Sequence, residues 1–125
     1  MTTILIVEDN DMNMKLARDV LSANSFDVLE AKNGEDGVAS ALAHKPDLVL
    51  MDIQLPGIDG IEAFTRIRSN ESTAHIPVVA FTAAVTSTDR SRVTDAGFDA
   101  FISKPLELKS FMATIKNTLA GDASD

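Results

Sequence analysis

The sequence predicts an α/β protein with a doubly wound parallel sheet, and three observations carry that prediction. Short apolar runs alternate with helix-periodic segments from end to end, all four prolines fall at junctions, and Leu48-Val49-Leu50-Met51 is apolar at every position. An unbroken apolar strand is buried on both faces, as happens between two layers of helix and not in a half-solvated antiparallel sheet. Strands that alternate with helices connect through right-handed crossovers, which repeats the same chain direction strand after strand.

The first strand spans Ile4 to Val7, and Asn10 stands where it can cap the helix that follows. A second strand spans Phe26 to Glu30, with Asn33 placed to cap the second helix. Pro46 precedes the third strand, Leu48 to Met51, and Pro56 lies in the loop after it. Asp59, three residues before Glu62, is close to a capping box for the third helix. Pro77 opens the fourth strand, Val78 to Phe81, and Thr86 is placed to cap the fourth helix. From Thr86 to Ala96 only Val93 and Ala96 interrupt Ser, Thr, Asp and Arg, so this helix has the thinnest apolar face and should be the least firmly held. Ala100 to Ile102 forms the fifth strand, and Pro105 separates it from the last helix. There Leu108, Phe111, Met112, Ile115 and Leu119 make one apolar stripe, and Gly121 is a stop signal.

At 125 residues and 45% hydrophobic content the chain fits one domain, which we bound at residues 1–120 with a short tail at 121–125 and no room for an output domain. A net charge of -8 gives no basic footprint, which argues against nucleic acid or anionic membrane as a partner. Zero cysteines exclude disulfides, thiolate metal sites and cysteine nucleophiles. Neither a leader nor a membrane-spanning run is visible, so the expectation is a soluble cytoplasmic protein.

In a parallel sheet the carboxyl ends of the strands share one rim, where ligands and chemistry collect. Glu8 and Asp9 follow the first strand, Asp52 the third, Thr82 the fourth, and Lys104 the fifth. Three carboxylates, one hydroxyl and one ammonium would therefore converge. Two ionised carboxylates about 4 Å apart repel by roughly 4 kcal/mol at an effective dielectric near 20, so a cation beyond Lys104 is expected. Oxygen donors without His or Cys suit Mg²⁺, held by Asp9 and Asp52 with Glu8 acting through a water. A carboxylate beside such a cation can attack phosphorus to give an acyl phosphate, with Thr82 as a hydroxyl donor to the new group. Each residue also has a plain alternative: Glu8 and Asp9 as helix-start acids, Asp52 as the start of a loop, Thr82 as a strand end, Lys104 as a solvated charge and Phe101 as core. Met12, beside the acids, is either partly buried in the domain's own core or an apolar contact for a histidine-bearing helical bundle.

The strings Val7-Glu8-Asp9-Asn10, Leu50-Met51-Asp52-Ile53-Gln54-Leu55-Pro56-Gly57, Ala80-Phe81-Thr82-Ala83 and Ser103-Lys104-Pro105 together resemble the signature of the response-regulator receiver domain, across essentially the whole chain. That resemblance implies a flavodoxin-like, CheY-like sheet of order 2-1-3-4-5 flanked by five helices. It also implies phosphorylation of Asp52 by a phosphohistidine donor on a sensor histidine kinase or a histidine phosphotransferase. By it, Asp9, Asp52 and the backbone carbonyl of Gln54 ligate Mg²⁺, Lys104 binds the phosphoryl group, Thr82 and Phe101 act as the switch, and Lys104–Pro105 is a cis peptide. Phe101 stands where many members have Tyr, so no hydroxyl is available there.

Further text, Asn13-Met14-Lys15-Leu16 and His75-Ile76-Pro77-Val78-Val79-Ala80, resembles single-domain cell-division and polarity regulators of the DivK type. The implied protein is a phosphoacceptor that signals by binding a downstream protein, as a monomer or weak dimer, and is not an enzyme beyond slow self-dephosphorylation. Two other readings compete. One is the receiver piece of a hybrid histidine kinase. The other is a Mg²⁺-dependent aspartyl-phosphate phosphohydrolase, which generally needs a second acid two residues after the nucleophile, where this chain has Gln54. An FMN-binding flavodoxin is disfavoured, because the loop Glu8-Asp9-Asn10-Asp11 is acidic where a phosphate cradle is wanted and neither Trp nor Tyr is present to stack on a flavin.

Overall fold

In the computed structural model, which describes residues 2–83 and 87–120, strands and helices alternate: β1 (Thr3–Val7), α1 (Asp11–Ala23), β2 (Asp27–Ala31), α2 (Gly34–His44), β3 (Leu48–Met51), α3 (Gly60–Ser69), β4 (Val78–Thr82), α4 (Ser87–Ala96), β5 (Ala100–Ser103) and α5 (Leu108–Leu119). All pairings are parallel, and the sheet order is β2-β1-β3-β4-β5. The order reverses direction at β1, so β1 and β3 are neighbours although a helix, a strand and another helix separate them in sequence. This is the switch point at which open α/β sheets leave a crevice.

The two-residue period of the strands sorts their side chains into two layers. Ile4, Ile6, Leu48, Leu50, Val79, Phe81 and Ile102 meet Met14, Ala17 and Leu21 of α1 and Phe111, Met112 and Ile115 of α5. Leu5, Val7, Val49, Met51 and Val78 meet Ala41 of α2 and Ala63, Phe64 and Ile67 of α3 on the opposite face. Every residue of β3 and β4 is buried, as an apolar run without alternation requires. At roughly 1.5–3 kcal/mol for each large apolar side chain taken out of water, these two layers are the main source of stability. A third, smaller cluster joins Val93 of α4 to Ile53 and Ala80, with Phe101 packed against it. Val93 is buried and docks α4 on this cluster, and Ala96 of the same helix packs against the layer that holds Phe64 and Ile67.

Caps formed where short polar side chains precede a helix. Asn10, Asn33 and Asp59 accept the backbone N–H groups of Asn13, Asp36 and Glu62 at 2.9, 2.7 and 2.9 Å. The Asp59–Glu62 pair makes only the forward half of a capping box, since the Glu62 carboxylate turns to Arg66 at 3.0 Å. The expected cap at Thr86, the stop at Gly121 and the tail 121–125 lie outside the described residues. The last helix is instead capped at its start by Glu107, whose carboxylate accepts Lys109 N–H at 2.7 Å.

Four strands differ at their ends from the sequence expectation, β1 by starting one residue earlier, at Thr3, which pairs with Asp27. Phe26 closes the turn after α1, its N–H donating to Leu21 O at 3.1 Å, so β2 starts at Asp27 and ends at Ala31. β4 and β5 each run one residue further, because Thr82 pairs with Ser103. That extension carries both strands up to the rim.

Candidate functional site

The rim gathers the residues that the strand ends predicted. Asp52 follows β3 and is held by its own backbone, its N–H donating to Val7 O at 2.9 Å across to β1. Glu8 is fixed the same way by a 3.0 Å bond to Ala31 O of β2, and Lys104 by a 2.9 Å bond to Thr82 O of β4. Ladder bonds therefore set where each side chain starts, and the side chains need only short reach.

Glu8, Asp9 and Asp52 each present a carboxylate oxygen within 4.8 Å of the others. Glu8 and Asp52 are buried, at 1% and 3% exposure, while Asp9 is open to solvent. The Lys104 ammonium lies between the buried pair, 2.7 Å from Glu8 Oε1 and 3.2 Å from Asp52 Oδ2. The second Asp52 oxygen, Oδ1, accepts the Gln54 N–H at 3.0 Å, and the second Glu8 oxygen, Oε2, accepts the Asn10 N–H at 3.0 Å. Lys104 also sits 5.1 Å above the Phe81 ring, which braces the cation from the core side. Asp52 is thus a fixed, buried acid and not the solvated start of a loop, and Lys104 is not a solvated charge.

Thr82 is buried, and its Oγ1 has no hydrogen-bond partner among the described residues. A buried hydroxyl without a partner is unusual and marks a donor in reserve. Phe101 is half-buried beside Ile53, Ala80 and Val93. The Lys104–Pro105 peptide is cis. Gln54 is exposed in the loop after β3, and its side chain is not what engages Asp52. Met12 is 73% exposed, with Leu16 at 47% one turn on, so burial in the domain's own core is excluded: its position on α1 turns it away from the sheet. Sequence reasoning does not single out Gly60, the first residue of α3. A glycine at that place, where most residues are better helix formers, is the one signal of it.

The electrostatics are unbalanced. Burial, reinforced by the Asp52 carboxylate, pushes the Glu8 carboxyl up to about 7, against the opposing pull of Lys104 and the Asn10 N–H. Three acids face one ammonium, and every donor is a hard oxygen, a set that fits a divalent cation such as Mg²⁺. Because the folded value of Glu8 lies above its unfolded value near 4.5, the native state binds the extra proton. The contribution of this group is fully present below about pH 4.5 and is lost as pH rises through about 7, on the order of 2–3 kcal/mol in metal-free protein. Glu8→Gln, which mimics the protonated form, should gain stability over the parent between pH 5 and pH 8 in urea unfolding with a chelator present. A parent–variant difference that stays flat across that range would show that Glu8 is not held in this environment.

Comparison with known proteins places this geometry. The response regulator receiver domain family matches residues 4–116. The polar-differentiation response regulator DivK of Brucella anthropi is 42% identical over 121 residues, which covers 97% of this chain and 98% of that protein. The receiver domain of a Pseudomonas aeruginosa sensor histidine kinase, solved with a magnesium ion coordinated in its active-site cleft, superposes with a TM-score of 0.84 at 30% identity, covering 99% of this chain and 98% of that one. The signal receiver domain of a histidine kinase from Syntrophus aciditrophicus gives a TM-score of 0.90 at 26% identity, over 97% of this chain and 92% of its own. A five-stranded parallel sheet of order 2-1-3-4-5 with an acid-lined rim, matched along nearly its whole length, identifies the chain as a member of the response regulator receiver domain family.

Proposed function

We propose that the protein is a single-domain response regulator that accepts a phosphoryl group on Asp52 and passes the signal by phosphorylation-dependent protein binding. The observation that carries this reading is the state of the Asp52 carboxylate. It is buried at a strand end, one oxygen is fixed by a backbone N–H, and the other faces an ammonium that can follow the charge onto a phosphoryl oxygen.

Asp9, Asp52 and the Gln54 carbonyl would hold Mg²⁺, with Glu8 supporting it through a water; the unbalanced acid cluster supports this assignment. When bound, the ion supplies positive charge at the transferring phosphoryl oxygens. In the transfer itself an Asp52 oxygen forms the bond to phosphorus as the phosphorus–nitrogen bond of a phosphohistidine breaks, and the released imidazole takes a proton from solvent. Lys104 neutralises charge on the phosphoryl group, and the buried Thr82 hydroxyl, without a partner among the described residues, donates to it. Thr82 and Phe101 then couple the site to α4, β5 and α5, biasing a two-state equilibrium. The cluster that joins Val93 of α4 to Ile53, next to Asp52, and to Phe101 supports that route.

The phosphodonor is a sensor histidine kinase or histidine phosphotransferase. Met12 and Leu16 form an exposed apolar strip on α1, which starts four residues after β1 ends at the rim, and they suit the flank of a histidine-bearing helix. Similarity to DivK over its length supports a role in polarity or cell-cycle control. Gln54 in place of a second acid supports slow self-dephosphorylation over turnover as a hydrolase. The described residues contain no helix long and apolar enough to cross a membrane, and a phosphorelay of this kind would operate in the cytoplasm.

Three experiments test this reading. Incubated with Mg²⁺ and a small-molecule phosphodonor, the parent should gain one phosphoryl group by intact mass and Asp52→Asn none; equal gain by both would move the acceptor elsewhere. Phosphorylation of the parent should change amide hydrogen exchange in β5 and α5, whereas Thr82→Ala, loaded to the same extent, should show little change; an identical response would remove Thr82 from the coupling. Met12→Lys should slow transfer from a phosphorylated histidine phosphotransferase about tenfold, ~1.4 kcal/mol, with small-molecule phosphorylation and melting temperature unaltered. Unchanged transfer would take the donor off α1.

A further inference from the structure

The loop that carries Asp52 is pressed against the start of α3, and the contact is made at Gly60. A Cβ built on Gly60 would lie 2.1 Å from Asp52 O, 2.7 Å from Ile53 Cα and 2.9 Å from Asp52 C, all backbone atoms. The Gly60 N–H donates to Ile53 O at 2.9 Å, so the helix start touches the Asp52–Ile53 peptide and is hydrogen-bonded to the next one, Ile53–Gln54. Ile53 O also accepts Leu55 N–H at 3.2 Å, and this tight turn holds Gln54 so that its own N–H reaches Asp52 Oδ1. The peptide after Asp52 is thus clamped between α3 and the turn. Flexible side chains could yield to a methyl group, but these neighbours are backbone.

The structure assigns Gly60 as the positioning residue of the phosphoacceptor. Its missing side chain lets α3 back directly onto the Asp52–Ile53 peptide, which sets the direction of the Asp52 carboxylate and the place of Gln54. This rests on the reading of Asp52 as acceptor beside Mg²⁺. A second glycine supplies a control. Gly34, the first residue of α2, would place a Cβ 2.6 Å from Ile58 Cγ1 and 3.0 Å from Ile58 O, near the far end of the same loop and with a side-chain atom as the closest neighbour. A methyl group there disturbs packing without meeting the Asp52 peptide.

The test compares the parent, Gly60→Ala and Gly34→Ala in three measurements: the urea midpoint, the affinity for Mg²⁺ alone by calorimetry, and the initial phosphorylation rate with a small-molecule donor at saturating Mg²⁺. Both variants should lose stability. Gly60→Ala should bind Mg²⁺ at least tenfold more weakly and remain at least tenfold slower at saturating Mg²⁺, whereas Gly34→Ala should stay within twofold of the parent in both. Folded Gly60→Ala with parental Mg²⁺ affinity and rate would overturn the assignment. If Gly60→Ala does not fold, the parent decides: Mg²⁺ should slow hydrogen exchange of the Gly60 amide at least fivefold more than that of Gly34, and equal slowing would overturn it. A parent that neither binds Mg²⁺ nor takes phosphate would remove the underlying reading of the site and this assignment with it.

Discussion

The Lys104 ammonium between Glu8 and Asp52 is the interaction on which the rest of the site depends. Two carboxylates with almost no solvent contact could not share a rim without a cation between them, because each would lose its hydration with nothing in return. Breaking a buried pair of this kind by removal of one partner leaves an uncompensated charge, a loss of roughly 3–5 kcal/mol. Lys104 reaches that position only because β5 lies beside β4 and its ladder runs on to Ser103. Sheet order and site electrostatics are therefore one constraint seen from two sides. The compensation is incomplete, as the elevated Glu8 carboxyl shows, so three acids facing one ammonium leave the rim with an excess of negative charge.

Support for the site is unevenly distributed. β1, β3 and β4 are packed on both faces and held by parallel ladders, so Asp52 and Glu8 stand on the rigid part of the molecule. α4 places Val93 in the small third cluster, whose other members include Ile53, the residue immediately after Asp52, and packs Ala96 against the layer of α2 and α3. An ion pair between Arg92 and Asp59 at 3.6 Å ties the same helix to the cap of α3, but both side chains are about half exposed, and pairs of that sort contribute at most about 1 kcal/mol. Asp52 thus stands on the firmly packed strands, and Ile53 beside it is in the cluster that receives Val93 of α4.

How much of this was legible in the sequence depends on the range of the interaction concerned. Leu48-Val49-Leu50-Met51 announced a doubly buried strand because its pattern lacks alternation, and the stripe from Leu108 to Leu119 announced a docked helix. Asn10, Asn33 and Asp59 were readable as caps because a cap bonds within three residues of itself. Glu107 carries no such signal, since a longer acid is a less common cap and it follows the Lys104–Pro105 turn. The apolar character of Phe26 suits a strand, and the turn that holds it to Leu21 leaves no mark in that pattern. Met12 could have been inward or outward until the helix was docked.

By itself the sequence determined the class of fold, the order of its elements and the acids, hydroxyl and ammonium standing at the strand ends, because periodicity and capping are properties of neighbouring residues. Only the tertiary structure decided which strand ends meet. It placed Lys104 between Glu8 and Asp52, left the Thr82 hydroxyl without a partner among the described residues, and pressed Gly60 onto the Asp52 peptide. Those facts join residues up to 96 positions apart, from Glu8 to Lys104, and contacts at that range follow from the layered packing of the sheet, which no local pattern encodes.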